Sequence, residues 1–353
     1  MGLSSFYGKP RSDEERLKLL DHVYAAGETN WDSADIYGDS EDLLGKYVSR
    51  RFLFANLNMP APLFFIGMLL LNSLTTSPIC RWFKKTGKRN DIFLATKFGI
   101  CVAPDGTRQV RNDPDYIRQA CDKSLKRLGV DYIDLYYCHR VNTNTPIERT
   151  VGVMAELKKA GKVKYLGLSE CSADTLRRAC QVEHIDAVQI EYSPFTMDIE
   201  DPQIGLLAAC RELGVAVVAY SPLGRGFLSG SLKSPDDFEE GDFRRFAPRF
   251  SKENFPKNLK LVEIIEKLAD EKGCTPGQLV LAFLMAQGDD IIPIPGTTKE
   301  KNFDENMGSL NVKISKSDDQ NIRKAIEEAE VHGGRYPEAH SKALFVTTVP
   351  LEK

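Results

Sequence analysis

The feature that most constrains this chain is an alternation. Short apolar runs rich in β-branched and aromatic residues are each followed by a stretch with apolar residues at helical spacing, repeatedly from Asn30 to Met307. Strands are expected at 91–98, 133–139, 164–169, 187–192, 215–220 and 290–294, after a first one carrying Asp32. Helices are expected at 13–26, from Glu41, and at 113–128, 147–160, 172–182, 204–213, 259–271, 276–287, 299–307 and 315–331. Local chemistry supports several boundaries. Ser12 can cap the first helix with Glu15 reaching back, and Gly161 and Gly214 stand where helices end. In the helix over 113–128, Ile117, Cys121, Leu125 and Leu128 share one face. Strand–helix alternation at this spacing implies a parallel sheet. The expectation is an α/β chain forming a (β/α)8 TIM barrel, of which seven units are visible.

The chain has 353 residues, ample for such a barrel, with 42% hydrophobic and 27% charged residues. A net charge of −3 gives no reason to expect nucleic acid or an anionic membrane as partner. The eight cysteines form no C-x-x-C pair and read as reduced thiols in a cytoplasmic protein. No basic-then-apolar leader opens the sequence.

The chemistry is concentrated at strand ends. In Asn30-Trp31-Asp32-Ser33-Ala34-Asp35-Ile36-Tyr37-Gly38, a carboxylate at Asp32 precedes a phenol at Tyr37 where an apolar run breaks into a turn. A phenol donates a proton well near neutral pH only beside a cation, and the next strand ends in Lys97. The one after it ends in His139. In a (β/α)8 barrel all four meet at one mouth, where active sites of this fold lie. Asp35, Tyr136 and Tyr137 are read as structural, the two tyrosines on opposite faces of their strand. His22, His332 and His340 are left as surface or structural residues.

These motifs resemble the aldo-keto reductases, in particular the fungal and plant-like aldehyde reductase branch. Supporting matches are Gly167-Leu168-Ser169-Glu170, Gln189-Ile190-Glu191-Tyr192, Ala219-Tyr220-Ser221-Pro222-Leu223-Gly224-Arg225-Gly226 and Ile294-Pro295-Gly296. The resemblance implies an NADPH-dependent reductase of small aldehydes or ketones, with no metal. It makes Tyr37 the general acid, Lys97 the group that lowers its pKa, Asp32 the partner of Lys97, and His139 the donor that orients the substrate carbonyl. No G-x-G-x-x-G follows a strand, so a Rossmann seat for the dinucleotide is not offered. The resemblance implies instead that Ser169 and Gln189 bind the nicotinamide amide and that Tyr220 stacks on the ring. Ser221, Leu223, Gly224, Arg225 and Gly226 would cradle phosphate. Gly296, Thr298, Lys299 and Asn302 would take a 2′-phosphate at a helix start, with Glu305 and Asn306 towards the adenine. Glu170 departs from the pattern, since many members have Asn there, and Lys299 and Asn302 stand where many have Arg and Gln.

The resemblance runs over 1–344, followed by a tail at 345–353, with one interruption. Residues 47–81 are apolar without period, too short to span a bilayer, and broken by Asn56, Asn58, Pro60, Pro62 and Asn72. The codons of Lys46-Tyr47-Val48 can contain a splice donor and those of Ile79-Cys80-Arg81 an acceptor, so the block is read as a retained intron whose removal keeps the frame. By the same resemblance Met1-Gly2-Leu3-Ser4 falls at the end of the first barrel strand, so the N-terminal hairpin and that strand are expected to be missing. Two rivals stand beside the reductase. One is a non-catalytic NADP-binding partner protein like the channel-associated β-subunits; the other is an inactive product of a faulty gene model. The loop over 225–258, the tail over 333–353 and the oligomeric state carry no interpretable motif.

Overall fold

The structure is a computed structural model that describes residues 2–45 and 82–352. The apolar block expected at 47–81 lies outside the described residues. Nine strands are described: β1 (Asn30–Asp32), β2 (Phe93–Phe98), β3 (Ile100–Val102), β4 (Arg108–Val110), β5 (Ile133–Cys138), β6 (Val163–Ser169), β7 (Ala187–Glu191), β8 (Ala216–Tyr220) and β9 (Ile291–Ile294). Among the described residues, seven of them form one parallel sheet in the order β1-β2-β5-β6-β7-β8-β9. Helices Pro114–Leu128, Ile147–Lys159, Ala173–Val182 and Leu206–Leu213 each carry the chain from one strand to the next. Phe255–Lys272 and Pro276–Met285 precede β9, and Glu300–Met307 and Lys316–Ala329 follow it. The architecture is a (β/α) TIM-type barrel.

Helix ends follow their side chains. Ser12 and Glu15 form the expected capping box at the start of Asp13–Ala25. Asp113 accepts from the Tyr116 N–H, and Gly129 and Gly214 close their helices in left-handed backbone. The helix expected from 259 begins earlier, at Phe255. Pro256 sits in its first turn, where a missing N–H leaves no bond unmade. The β3–β4 hairpin was not expected, although Pro104-Asp105-Gly106 between its strands is turn chemistry: Asp105 accepts from the Thr107 N–H at 2.9 Å.

The strand faces divide the core in two. Inside the sheet, Ala95, Leu135, Tyr137, Ala187 and Val218 form one buried cluster. Outside it, Leu94, Phe98, Tyr136, Leu166, Val188 and Val217 pack against the helices. Tyr136 and Tyr137 thus lie on opposite faces, as strand alternation requires. The Tyr137 ring fills space that only Gly167 leaves open, since a Cβ there would stand 2.3 Å from the ring.

The outer layer closes where Asp13–Ala25 packs on Glu300–Met307, with His22 Nε2 2.6 Å from Asp304 Oδ1. Between the mouths of β1 and β9 runs the segment from Gly2 to Ser4. A Cβ on Gly2 would meet Thr298 at 3.6 Å, and one on Gly38 would meet the Ser4 carbonyl at 2.9 Å. Gly38 also has φ +56, so both its backbone and its neighbour require glycine there.

Candidate active site

Strand register brings the expected residues level. Asp32 pairs with Ala95 across β1 and β2, Lys97 with Tyr137 across β2 and β5, and Ser169 with Gln189 across β6 and β7. Glu191 pairs with Tyr220 across β7 and β8. All stand at the C-terminal ends of parallel strands, so Asp32, Tyr37, Lys97 and His139 share one mouth.

At its floor the Lys97 ammonium is wholly buried and donates to Asp32 and to the Ser33 carbonyl, the latter at 2.7 Å. Asp32 uses its other oxygen, Oδ2, to accept from Gln189 Nε2 at 2.9 Å. The ammonium lies over the Tyr37 ring, 5.1 Å from its centroid. Tyr37 is itself buried, with its ring edge-to-face against His139 at 5.6 Å and against Phe6 at 6.1 Å. His139 is buried too, and its Nδ1 has no hydrogen-bond partner among the described residues.

Burial dominates the electrostatics. It lowers the Lys97 ammonium despite Asp32, and it holds the His139 imidazole well below its ordinary range, helped by the charges of Arg140 and Lys97. His139 is therefore neutral near pH 7, able to donate one hydrogen bond. The Tyr37 phenol is pushed well above its ordinary value, first by burial and then by Asp32. That differs from the lowering by Lys97 expected from the sequence. The reason is that Asp32 already answers the Lys97 charge, and the cation that opposes the rise most is Arg140.

Comparison with known proteins settles the family. The family model described as "Aldo/keto reductase family" matches residues 1–60 and 75–327, and its break at 61–74 falls within the apolar block. The chain belongs to the aldo/keto reductase family. These proteins are oxidoreductases, and the resemblance read from the motifs is correct. The chain is 53% identical to aldo-keto reductase str7 of Strobilurus tenacellus over 95% of its own length and 88% of that protein. It is 49% identical to aldo-keto reductase yakc [NADP(+)] of Schizosaccharomyces pombe over 100% and 94%. Among solved structures it resembles the thermostable aldo-keto reductase Tm1743 in complex with epalrestat, with TM-score 0.64, 26% identity and 92% of each chain covered. The glycerol dehydrogenase AKR11B4 of Gluconobacter oxydans shares the fold, with TM-score 0.71 at 21% identity over 100% and 92%.

The remaining candidates of this aldo/keto reductase fall in two groups beyond the strand ends. Ser169, Gln189 and Tyr220 stand on adjacent strand ends, with Glu170 beside them in left-handed backbone, φ +54. Tyr220 donates to Glu170 Oε1 at 2.6 Å, while Glu170 Oε2 is buried without a hydrogen-bond partner among the described residues. Beyond Tyr220 the backbone is left-handed at Ser221 and again at Gly224, Arg225 and Gly226, a curvature that gathers N–H groups into a concave seat for an anion. Arg225 is not aimed into that seat. Its guanidinium is buried, 3.1 Å from Glu191, bonded to the Arg335 carbonyl at 2.8 Å and stacked over Tyr336. The second group, Gly296 to Asn306, opens the helix Glu300–Met307, with Lys299 at its N-cap and both Lys299 and Asn302 exposed. Gly277 lies between the groups: a Cβ there would stand 3.8 Å from Leu223 and 3.6 Å from Glu305.

Two features escaped the sequence reading. Arg140, next to His139, donates to the His139 carbonyl at 2.7 Å and to Ser169 Oγ at 3.3 Å. The segment from Arg335 also reaches the mouth: Arg335 lies 3.4 Å from Glu170 and 3.8 Å from Glu191, and Tyr336 lies 3.2 Å from the Tyr220 hydroxyl. A basic residue beside the strand-ending His was the available signal for the first. The second had none, because its partners are more than a hundred residues away.

Proposed function

We propose that this protein is an NADPH-dependent reductase of aldehydes or ketones, acting through Tyr37, Lys97, Asp32 and His139. The observation that carries the reading is the arrangement at the mouth. A buried phenol stands between a buried, carboxylate-paired ammonium and a neutral imidazole.

The residues around the mouth suit a nicotinamide dinucleotide. Glu170 Oε2 is a buried acceptor without a partner among the described residues, and an amide N–H would satisfy it. Ser169, Gln189 and Glu170 would hold the carboxamide, with Tyr220 against the ring. Ser221, Leu223, Gly224 and Gly226 would seat the pyrophosphate. Arg225 would support that turn from its pairing with Glu191. Gly296, Thr298, Lys299 and Asn302 would receive a 2′-phosphate at the helix start, with Glu305 and Asn306 near the adenine. The preference for NADPH rests on Lys299 and on the relative whose name carries NADP(+). When bound, the reduced cofactor supplies the hydride that adds to the carbonyl carbon.

The chain's own residues do the rest. His139, neutral and with Nδ1 lacking an acceptor, keeps its proton on Nε2 and donates it as a hydrogen bond to the substrate oxygen. Tyr37 gives its phenolic proton to that oxygen as charge develops there. Lys97, held by Asp32 and the Ser33 carbonyl, keeps a positive charge against the phenol ring. Asp32 in turn is oriented by Gln189. Burial of Tyr37, Lys97 and His139 keeps water from competing for the proton.

The test is a fluorescence titration of the purified chain with NADPH, followed by addition of an aldehyde. Quenching with a midpoint lower than for NADH, then aldehyde-dependent loss of NADPH absorbance, is the expected result. Binding without turnover of any aldehyde or ketone would favour a non-catalytic NADP-binding protein instead.

A further inference from the structure

We propose that Arg127 is a positioning residue for the proton donor: its guanidinium fixes the turn that carries Tyr37 and so sets where the phenol stands relative to Lys97. The inference rests on the reductase reading above and extends it to a residue of the helix Pro114–Leu128, outside the four already described.

Tyr37 sits in a turn rather than on a strand, so the place of its hydroxyl depends on how the backbone from Ser33 to Asp39 is held. Each carbonyl of that turn needs a donor, and most find one nearby. The Ser33 carbonyl accepts from the Lys97 ammonium at 2.7 Å, and that of Ala34 from the Tyr37 N–H at 3.1 Å. The Ile36 carbonyl accepts from the Gly38 N–H at 2.9 Å, that of Tyr37 from Ser40 at 3.0 Å, and that of Asp39 from Leu43 at 2.7 Å. The carbonyls of Asp35 and Gly38, one before Tyr37 and one directly after it, are answered from outside the turn. Arg127 Nη1 donates to the Asp35 carbonyl at 2.9 Å and Nη2 to the Gly38 carbonyl at 2.6 Å. Water can satisfy either carbonyl alone. A planar group bonded to both fixes the distance between them, and with it the conformation of the two residues enclosed.

The same guanidinium also ties the turn to the strand that carries Lys97. Its Nη1 lies 3.1 Å from Glu41 Oε2, and its Nε donates to Asp42 Oδ2 at 3.0 Å, so the start of the helix Ser40–Leu44 is held together with the turn. Glu41 is wholly buried, and its other oxygen accepts from Thr96 Oγ1 at 2.8 Å. Thr96 immediately precedes Lys97 on β2. A backbone bond runs parallel to this route, from the Asp35 N–H to the Lys97 carbonyl at 3.1 Å. Arg127 is thus the one side chain bonded on both flanks of Tyr37 and joined through Glu41 to the neighbour of Lys97. The Lys97 ammonium lies 5.1 Å from the centre of the Tyr37 ring, and proton transfer is sensitive to displacements of about 1 Å at the reacting atoms. An ammonium at position 127 would keep a charge beside Glu41 and Asp42, but as a point donor it could not reproduce the fork across both carbonyls.

The experiment therefore uses Arg127→Lys, which keeps the charge and gives up the fork. Arg211→Lys is the control, because Arg211 also holds a carboxylate and a carbonyl, Asp290 at 3.0 Å and Gln287 at 2.8 Å, at the end of the barrel where β9 begins. Aldehyde reduction is measured in the wild type, both lysine variants, Tyr37→Phe and Tyr37→Phe/Arg127→Lys, with kcat counted per NADPH-binding site titrated by fluorescence quenching. The expected result for Arg127→Lys is a fall in kcat of about tenfold to a hundredfold, with KM and the NADPH midpoint little changed. Arg211→Lys keeps the wild-type kcat. Because Arg127 acts through Tyr37, the double variant is expected to be no slower than Tyr37→Phe alone. A wild-type kcat in Arg127→Lys, an equal fall in Arg211→Lys, a loss of NADPH binding in Arg127→Lys, or a further fall of the same factor in the double variant would each overturn the proposal and leave the reductase reading standing. A wild type without carbonyl-dependent turnover, or a Tyr37→Phe variant as active as it, would sink both.

Discussion

Lys97 and Asp32 form a buried ion pair at the base of the mouth, the ammonium fully enclosed and the carboxylate shared with Gln189. Enclosure makes the pair unequal in its consequences. Replacing both partners together removes two desolvation costs, whereas removing one strands the other charge. Asp32→Asn leaves Lys97 with only the Ser33 carbonyl. Its ammonium, already lowered by burial, then loses the charge that opposes the fall. The expected outcome is a loss of about 3–5 kcal/mol of stability by denaturant unfolding, together with loss of turnover. The double variant Asp32→Asn/Lys97→Met is expected to recover much of the stability and none of the turnover.

Asp35 gives a pH signature of its own. Burial and the nearby Glu41 carboxylate raise it to about 7 from the usual 3.8. Glu41 is also raised by burial, even though Arg127 lies 3.1 Å from it, which shows how far desolvation dominates in this corner. A raised acid keeps its proton in the folded chain after the unfolded chain has lost it. Its contribution is therefore full below about pH 4, declines as pH rises from 3.8 to about 7, and is flat above. Asp35→Asn removes the decline. Melting curves from pH 4 to 8 are expected to show the variant gaining on the wild type up to neutrality, by about 4 kcal/mol, and then running parallel. A constant offset across that range would contradict the assignment.

Gly167 and Tyr137 make a purely steric prediction. Because the Tyr137 ring occupies the space of a Gly167 Cβ at 2.3 Å, Gly167→Ala forces the ring or the β5–β6 ladder to shift. A loss of about 1–3 kcal/mol is expected from urea unfolding. Since Tyr137 lies inside the sheet below the mouth, NADPH binding is expected to weaken as well.

Much of this was legible in the sequence because it depends on order along the chain. Asp32, Lys97 and His139 stand at strand ends and Tyr37 in the turn just after β1, and parallel strands bring their C-terminal ends together without further information. The capping box at Ser12 and the glycine ends at Gly161 and Gly214 are local chemistry, which the structure repeats. What failed was long-range charge. Nothing near Arg225 indicates that its partner is Glu191 or that Arg335 crosses from the far end of the chain to meet both. The segment after it behaves alike: Val346 bridges Cys171, and Thr348 accepts from the Ile147 N–H and donates to Thr175.

The central claim is that Tyr37 is the proton donor, and Tyr37→Phe tests it most directly. The variant keeps the ring that packs on His139 and Phe6 and removes only the hydroxyl. NADPH quenching and aldehyde turnover are measured on the same preparation as the wild type. The expected result is an unchanged quenching midpoint with turnover reduced about 100- to 10,000-fold. Turnover close to that of the wild type, with binding intact, would contradict the account.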